Sequence, residues 1–582
     1  MSAGEASTAV PPDRPWVASY PPGVPADYHL PAVPVTRLLD DALRDAPDGT
    51  ALVAGDRSLD HATLHALVGE VAGWLRADGI RPGDRIAVAG TGQLSRCVLS
   101  LAIWRVAAVV VAVPWTRDRD ELVELVDRLD VRGLVGPRRL VRGVERDALA
   151  VRWTVEDDGW VDRSGSSRRL LARLPWPRRR RAERDGGPTD GRRDLRRPER
   201  RVAAEDGDDG QPSEVAVTAV PAVPGSVAIG PSASAEALVI PDTTGGAVVW
   251  THTGLVAGAF QARLWIPDIQ ATQERILVGD RLDDVGSIVL GWLLGLLAAS
   301  PVVLPGDVDT SELAREIVAQ RPTVLIAPSQ RLLALITDHG AVAGRDLSCL
   351  RVVLGHGGAL PVDVVVTGER RMGGSRIRTV APITALAAMT HAQPVYGRLT
   401  PYSLGFPVTA TDVVVVDPDD PRREVAPGRL VVRGPQLGRH LPPVDDGVSG
   451  HDPQDGWVAT DHLVEVSADG VFTHLGILGH LPERDGAPVA TTPIEAVIAA
   501  LPGVVEVAVV PGGVPTEIVA VVAGARRSRP TVEDVAAHCA QRLAGAVAPD
   551  RIVVIDELPH DAAGQVDRAA LRHRLAEEVR SG

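Results

Sequence analysis

The chain has 582 residues, 45% hydrophobic but only 3% aromatic, and a formal net charge of −14. All 61 residues counted as Lys+Arg are arginine, and neither lysine nor asparagine occurs anywhere. The acidic balance argues against general nucleic-acid affinity. The missing lysine excludes Schiff-base chemistry and any phosphate loop closed by an ammonium, because arginine's rigid planar fork does not replace that mobile point charge. Both absent types use adenine-rich codons, so a GC-biased coding sequence is the simplest source, tolerated only where catalysis needs no lysine. The length predicts more than one domain. Cys97, Cys349 and Cys539 lie far apart without ligand spacing and read as buried thiols of a reducing compartment, not a metal site.

Residues 1–35 are rich in Pro and Ala and lack a basic-then-apolar start, which predicts an N-terminal tail, no secretion signal and a cytoplasmic chain. LHALVGEVAGWLRADGI (64–80) carries apolar residues at helical spacing and stops at Gly79; RIAVAG (85–90) and VAAVVVAVP (106–114) read as strands, the second buried on both faces. This alternation predicts an α/β layer architecture. Between Arg163 and Arg201 lie 15 arginines, followed by acidic and then Ala/Pro/Ser-rich sequence. Residues 155–235 therefore read as a disordered insertion, too charged to bury a core. The uncharged run Val285 to Gly306 reads as a buried helix and strand, because Pro301 and Pro305 cut it too short for a membrane span. VVVVD (413–417) and RLVVRG (429–434) read as strands joined by a Pro/Asp-rich turn. The tail reads as a small α+β unit: a helix at 494–501, strands at 504–512 and 517–524, a Thr-capped helix at 531–543 and a last strand at 552–559.

Several signposts stand in a fixed order: GIRPGDRIAV (79–88), LAIWRVAAVVVAVP (101–114), GGALP (357–361), LGFPVTATDVVVVDPDD (404–420), DGWVATDHLVEVSADGVFTHLG (455–476) and DELPHDAAGQVDRAALR (556–572). Together they resemble the adenylate-forming superfamily of acyl-CoA synthetases, luciferases and peptide-synthetase adenylation domains. The resemblance implies an α/β fold in which a large N-terminal domain of layered sheets and helices (36–478) carries the 155–235 insertion, with a small mobile α+β C-terminal domain (479–582). It implies an activity in which ATP and Mg2+ activate a carboxylate to an acyl-adenylate, whose acyl group is then passed to a thiol such as that of CoA, releasing AMP.

The family's phosphate loop corresponds to IPDTTGGAVVWTHTGL (240–255), which keeps Thr243, Thr244, Gly245 and the Thr251-His252 pair but lacks the lysine. The metal-binding glutamate of the adenine motif is matched by Ala385 in APITA (381–385), which keeps Thr384; alanine cannot ligate a hard cation, so no metal residue is assigned. Gly357, Gly358 and Ala359, in the GGALP signpost, are counted by the resemblance among the residual nucleotide-binding residues. The ribose-binding aspartate is matched by His462, with Asp461 next to it as a substitute after a small backbone shift, and the nearby arginine by Ile477. Gln565 occupies the place of the catalytic lysine, and Asp283 that of the acyl-side histidine, where it would repel an incoming carboxylate. The residual nucleotide set is thus Thr243, Thr244, Gly245, Gly357, Gly358, Ala359, Thr384 and Asp461, with no catalytic residue.

Three readings stay open. The first is a degenerate synthetase-like protein that keeps an acyl, acyl-CoA or nucleotide pocket, or partners an active homologous ligase or a carrier protein. The second is a working long-chain or other fatty acyl-CoA or acyl-AMP ligase in which Arg281, Arg370 or Arg371 replaces the lost cations. The third is a scaffold that docks through its Arg-rich insertion. ATP, AMP, Mg2+ and CoA are cofactors only where the family activity survives, and neither nucleic acid nor membrane integration is expected.

Overall fold

The central parallel strands of the large lobe, such as Val109–Val113 and Val324–Pro328, are apolar throughout because both of their faces are covered. Ile86, Val88, Val110 and Ala112 enter one hydrophobic core, while the alternating Ala87, Ala89, Val109, Val111 and Val113 enter another. The same split separates Val324, Ile326, Val352 and Leu354 from Leu325, Ala327 and Val353. A strand buried on both sides loses the polar alternation of an exposed sheet and becomes a continuous Val/Ile/Leu run. The computed structural model describes residues 14–90, 92–113, 119–141, 144, 149–155, 161–163, 230–241, 246–266, 269, 273–306, 309–358, 360, 362–381, 386–397, 399–400, 403–441, 456–524, 529–543, 547–556, 558–559 and 566–581.

Among these residues the large lobe holds two sheets, one of eight strands and one of thirteen. The eight-stranded sheet is parallel at its centre, where Glu236–Pro241, Val109–Val113, Arg85–Ala89, Val131–Gly136 and Val151–Val155 lie side by side. In the larger sheet, Ile276–Val278, Val324–Pro328, Val352–His356 and Arg376–Ala381 run parallel, and antiparallel strands continue it to Asp412–Val416. The helices His61–Ala77, Gln93–Arg105 and His252–Trp265 fill the space between the sheets and contribute to their shared core.

The Val285–Gly306 run follows the expected order. A wide π-helical stretch, Ser287–Leu293, passes into Leu294–Leu297 and then the short strand Val302–Val303, with nearly every residue buried. Gly291 and Gly295 let this helix sit against the sheet: a Cβ there would come within 2.7 Å of Val278 and 2.1 Å of Val302. No helix among the described residues is long and apolar enough to cross a membrane.

Two expectations need correction. The segment from Arg14 onward is bound to the lobe and is not a free tail. Trp16 packs edge-on against Phe472 at 5.6 Å, Arg14 bonds Asp412 at 2.6 Å, and the Tyr20 hydroxyl donates to the Pro407 carbonyl. The ordered framework also reaches into both ends of the 155–235 stretch. Val161–Arg163 pairs with Val151–Val155, and the Ala233 and Ala235 carbonyls accept from Thr253 and His252. The Arg-rich part of that stretch lies outside the described residues. Cys97 and Cys539 are buried as expected, whereas Cys349 is only half-buried.

The small lobe has its own cores. Val504–Pro511 pairs antiparallel with Ile518–Gly524, which pairs parallel with Arg551–Ile555. Alternate residues of Ile518–Gly524 face two separate clusters, one under the helices Thr492–Ala499 and Val532–Arg542, the other under Arg568–Ser581. Thr531 closes a capping box: its hydroxyl accepts from the Asp534 amide, and the Asp534 carboxylate accepts from the Thr531 amide. Thr531→Ala will cost about 1 kcal/mol. All 11 tryptophans lie at or before Trp457, so the loss will show as faster amide exchange across Val532–Arg542 and not in tryptophan fluorescence.

Candidate active site

In an open α/β sheet, ligands bind beyond the carboxyl ends of the parallel strands, where successive loops gather. Here those ends carry the loop 279–286, Ser329, and the turn His356-Gly357-Gly358. Gly357 has φ +85°, a left-handed turn that favours glycine. The Ser329 hydroxyl donates to the Gly358 carbonyl at 2.5 Å, fixing the turn, and both glycines are exposed. His356 is buried, its Nδ1 lies 3.8 Å from Asp284, and its Nε2 has no hydrogen-bond partner among the described residues.

The loop 279–286 is held from the other sheet's side. The Gln93 amide donates to the Asp280 carbonyl at 3.0 Å and accepts from the Leu282 amide at 2.8 Å. Three residues on, Arg96 is 3% exposed, with Nη2 2.9 Å from Asp283 and further bonds to the Leu282 and Val113 carbonyls. Arg281 approaches the other Asp283 oxygen at 3.2 Å. Burial pulls the Arg96 guanidinium down from its ordinary value, while Asp283 holds it up. Asp283 is therefore the counter-charge of a buried cation, set between two arginines. It does not stand as the bare, repelling carboxylate that its place in the sequence suggests. Asp280, beside Arg331 at 3.6 Å, is raised by burial more than Arg331 lowers it.

Arg370 and Arg371 are at the wrong end. They close the helix Val362–Arg371, which follows Val352–His356 and returns across the sheet, so they lie at the edge where the strand Arg376–Ala381 begins. Arg371 donates to the Ile336 carbonyl there. Neither reaches the turn at Gly357.

The Thr251-His252 pair, expected beside the phosphates, has structural work. Thr251 caps the helix His252–Trp265, accepting from the Gly254 amide at 3.1 Å. His252 is fully buried, its Nδ1 accepts from the Val35 amide at 3.3 Å, and its ring meets Trp104 edge-on. Burial lowers it to about 4, so it stays neutral. Thr243, Thr244, Gly245, Ala359, Thr384, Ala385 and Gln565 lie outside the described residues.

Asp461 is described and exposed. The strand Val458–Val466 bulges opposite Arg429 and Val431, its two flanks are paired, and the Asp461 carbonyl accepts from the Leu478 amide at 2.6 Å. Its carboxylate thus stands in solvent beside the segment that joins the lobes. His462 is half-buried and occupied: its Nδ1 lies 2.9 Å from His474 Nε2. Burial lowers His462 to about 3 and His474 to about 4.

Residues 39–217 and 243–440 match the family model described as AMP-binding enzyme, and residues 493–565 match the AMP-binding enzyme C-terminal domain. The chain belongs to the AMP-binding enzyme family. A long-chain-fatty-acid–CoA ligase of Bacillus subtilis is 22% identical to it over 97% of this chain and 98% of the relative. The corresponding ligase of Yersinia pestis is 29% identical over 58% of this chain, which spans only 61% of that relative's length. Among solved structures, the anthranilate CoA ligase AuaEII in complex with anthranoyl-AMP superposes with a TM-score of 0.74 at 17% identity, covering 96% of this chain and 99% of that one. ATP-bound MatB from Rhodopseudomonas palustris gives 0.71 at 18%, covering 94% and 100%. At these identities the structures establish the adenylate-forming fold.

His462, which the sequence reading set against the family's ribose aspartate, is engaged by His474, and Ile477 pairs with it across the hairpin. Sequence reasoning missed the His356–Asp284 and His462–His474 pairs and the buried Arg96. Only the last had a signal, a lone arginine inside the apolar stretch LSRCVLSLAIW (94–104).

Proposed function

We propose that this AMP-binding family member is an acyl-CoA synthetase-like protein that has lost carboxylate adenylation at enzymatic rates and keeps an acyl or nucleotide pocket. In this reading residues 36–478 form the pocket-bearing domain and 479–582 the small domain. The observation that carries it is the complete absence of lysine. Pyrophosphate departure needs cations positioned in advance, and removing one such donor costs about 3–4 kcal/mol, a factor of 10² to 10³. Two lysine positions, the metal-site glutamate and the ribose carboxylate are exchanged together here. Even with the strong non-additivity of such losses, most of the acceleration goes. Two further features support the reading: Thr251-His252 serves packing, and Arg96 and Arg281 are committed to Asp283. The exposed Asp461 carboxylate and the Gly357-Gly358 turn are the described groups left to meet a nucleotide. Thr243, Thr244, Gly245, Ala359 and Thr384 complete the proposed set.

ATP–pyrophosphate exchange over a panel of fatty and aromatic acids will stay at background. Carboxylate-dependent exchange at about 1 per second or faster would overturn the proposal. Thermal shift with AMP, ATP or acyl-CoA will raise the unfolding midpoint where the pocket persists, since a ligand of the native state stabilises it. The 22% identity that runs along 97% of the chain to the Bacillus subtilis ligase favours a second reading, an active fatty acyl-CoA ligase with atypical groups. The same exchange assay separates the two.

A further inference from the structure

The lobes have separate hydrophobic cores: the large lobe's cluster ends at Phe472, and the small lobe's clusters begin at Val489. What crosses between them next to the joining segment is polar. The strand Phe472–Ile477 ends the large lobe, the chain turns at Gly479 with φ +79°, and the helix Thr492–Ala499 comes back against the strand. Here the Thr492 hydroxyl lies 2.9 Å from His474 Nδ1, His474 Nε2 lies 2.9 Å from His462 Nδ1, and the Thr491 amide donates to the Leu475 carbonyl at 2.8 Å. Behind them Phe472 stacks edge-on with His391 at 4.9 Å and with Trp16. Domains that meet through polar contacts without a shared core move relative to one another by default.

We propose that His474, set between His462 and Thr492, forms a protonation-gated latch, closed while its ring is neutral and released as the medium acidifies. The inference does not depend on whether the protein adenylates carboxylates. The proton inventory of the chain gives the reason. Between two neutral rings one N–H serves the His–His bond, and Thr492 completes the row as donor or acceptor. A second proton on His474, the ring that meets Thr492, places a cation in a site that already holds others. The helix Arg568–Ser581 brings Arg568, bound to Glu495 at 2.8 Å, and Arg572, which donates to the Gly479 carbonyl. His391 lies on the strand side, and Arg429 sits on the flanking strand Gly428–Arg433. Asp461, His480 and Asp567 surround the joining segment, and the two carboxylates raise His480 less than burial and the arginines lower it.

Burial, then the neighbouring Arg568, lowers His474 to about 4 from an ordinary 6.5. Undocking Thr492 wets His474 and returns it toward the ordinary value. The closed form then binds fewer protons than the open one, so its advantage is complete above about pH 6.5 and shrinks about tenfold per pH unit below that, down to the closed-state value. The sign is fixed: acid opens.

The test is hydrogen–deuterium exchange of the full chain, following the Thr491 amide and corrected for intrinsic exchange rates. Between about pH 7.5 and pH 5 its protection will fall about thirtyfold. In His474→Gln, which keeps a hydrogen-bonding side chain but cannot titrate, the fall will shrink to about threefold or less. His480→Gln will keep the full response. Thr492→Val, which leaves both rings in place, will lower protection at neutral pH toward the acid level. An unchanged fall in His474→Gln, a flat wild-type profile, loss of the response in His480→Gln, or wild-type protection in Thr492→Val would each overturn the latch.

Discussion

Asp283→Ala will destabilise the large lobe by about 3–5 kcal/mol, the cost of leaving a buried cation without its partner. Arg96 cannot follow its lost counter-ion into solvent, because its side chain is 4% exposed and its guanidinium is already tied to the Leu282 and Val113 carbonyls. Removing the carboxylate also frees Arg281 to face Arg96, and the two cations repel. Replacing both partners, as in Arg96→Met with Asp283→Leu, will recover most of the loss, since an apolar pair of similar volume avoids desolvating two charges. Urea unfolding followed by tryptophan fluorescence measures this on the large lobe alone, which carries every tryptophan outside the insertion. A cost under about 1 kcal/mol for Asp283→Ala would mean the carboxylate is not the counter-charge of Arg96. Arg96→Met, Asp283→Leu and the double that combines them close a cycle whose coupling term isolates the pair.

Trp292→Ala will cost about 3–5 kcal/mol, the range for emptying a large aromatic from a packed core. Trp292 is 2% exposed and stacks nearly parallel on Trp104, with ring centroids 5.7 Å apart. The two rings sit between the sheets, one on Gln93–Arg105 and the other on the π-helical stretch, so the cavity would open where both sheets lean on the helices. Substitution by phenylalanine separates the two rings. Trp104 Nε1 donates to the Ala237 carbonyl at 2.7 Å, whereas Trp292 Nε1 has no hydrogen-bond partner among the described residues. Trp104→Phe orphans a buried carbonyl, while Trp292→Phe removes an unsatisfied donor, a group whose burial costs about 1–3 kcal/mol. Trp292→Phe will therefore be the milder of the two in the same urea titration. The reverse order would contradict the hydrogen-bond assignment.

Where the signal was local, the sequence was readable. VAAVVVAVP became a strand buried on both faces, TVEDVAAHCAQRL a helix with a Thr531 capping box, and VVEVAVVPG and EIVAVVAG an antiparallel pair. Such elements rest on side-chain periodicity and capping chemistry, which short stretches of chain carry by themselves. The site was legible only as a set of positions. Motif register placed Asp283 next to a bound carboxylate, yet what governs its charge is Arg96, far away along the chain and brought in by the packing of one sheet's helix against the other sheet's loop. His462 read as a lost aspartate, but its surroundings depend on a hairpin partner and a helix of the other lobe.

By itself, then, the sequence determined the family, the α/β layering and the chemical poverty of the chain in mobile cations, because those follow from residue types and their spacing. Tertiary structure alone decided which charges are free. Arg96, Arg281 and Asp283 neutralise one another, His252 is held neutral in the core, and Asp461 is left in water. The physical reason is that a side chain's charge and availability depend on its solvation and on neighbours distant in sequence, and only the folded packing of sheet against helix sets those.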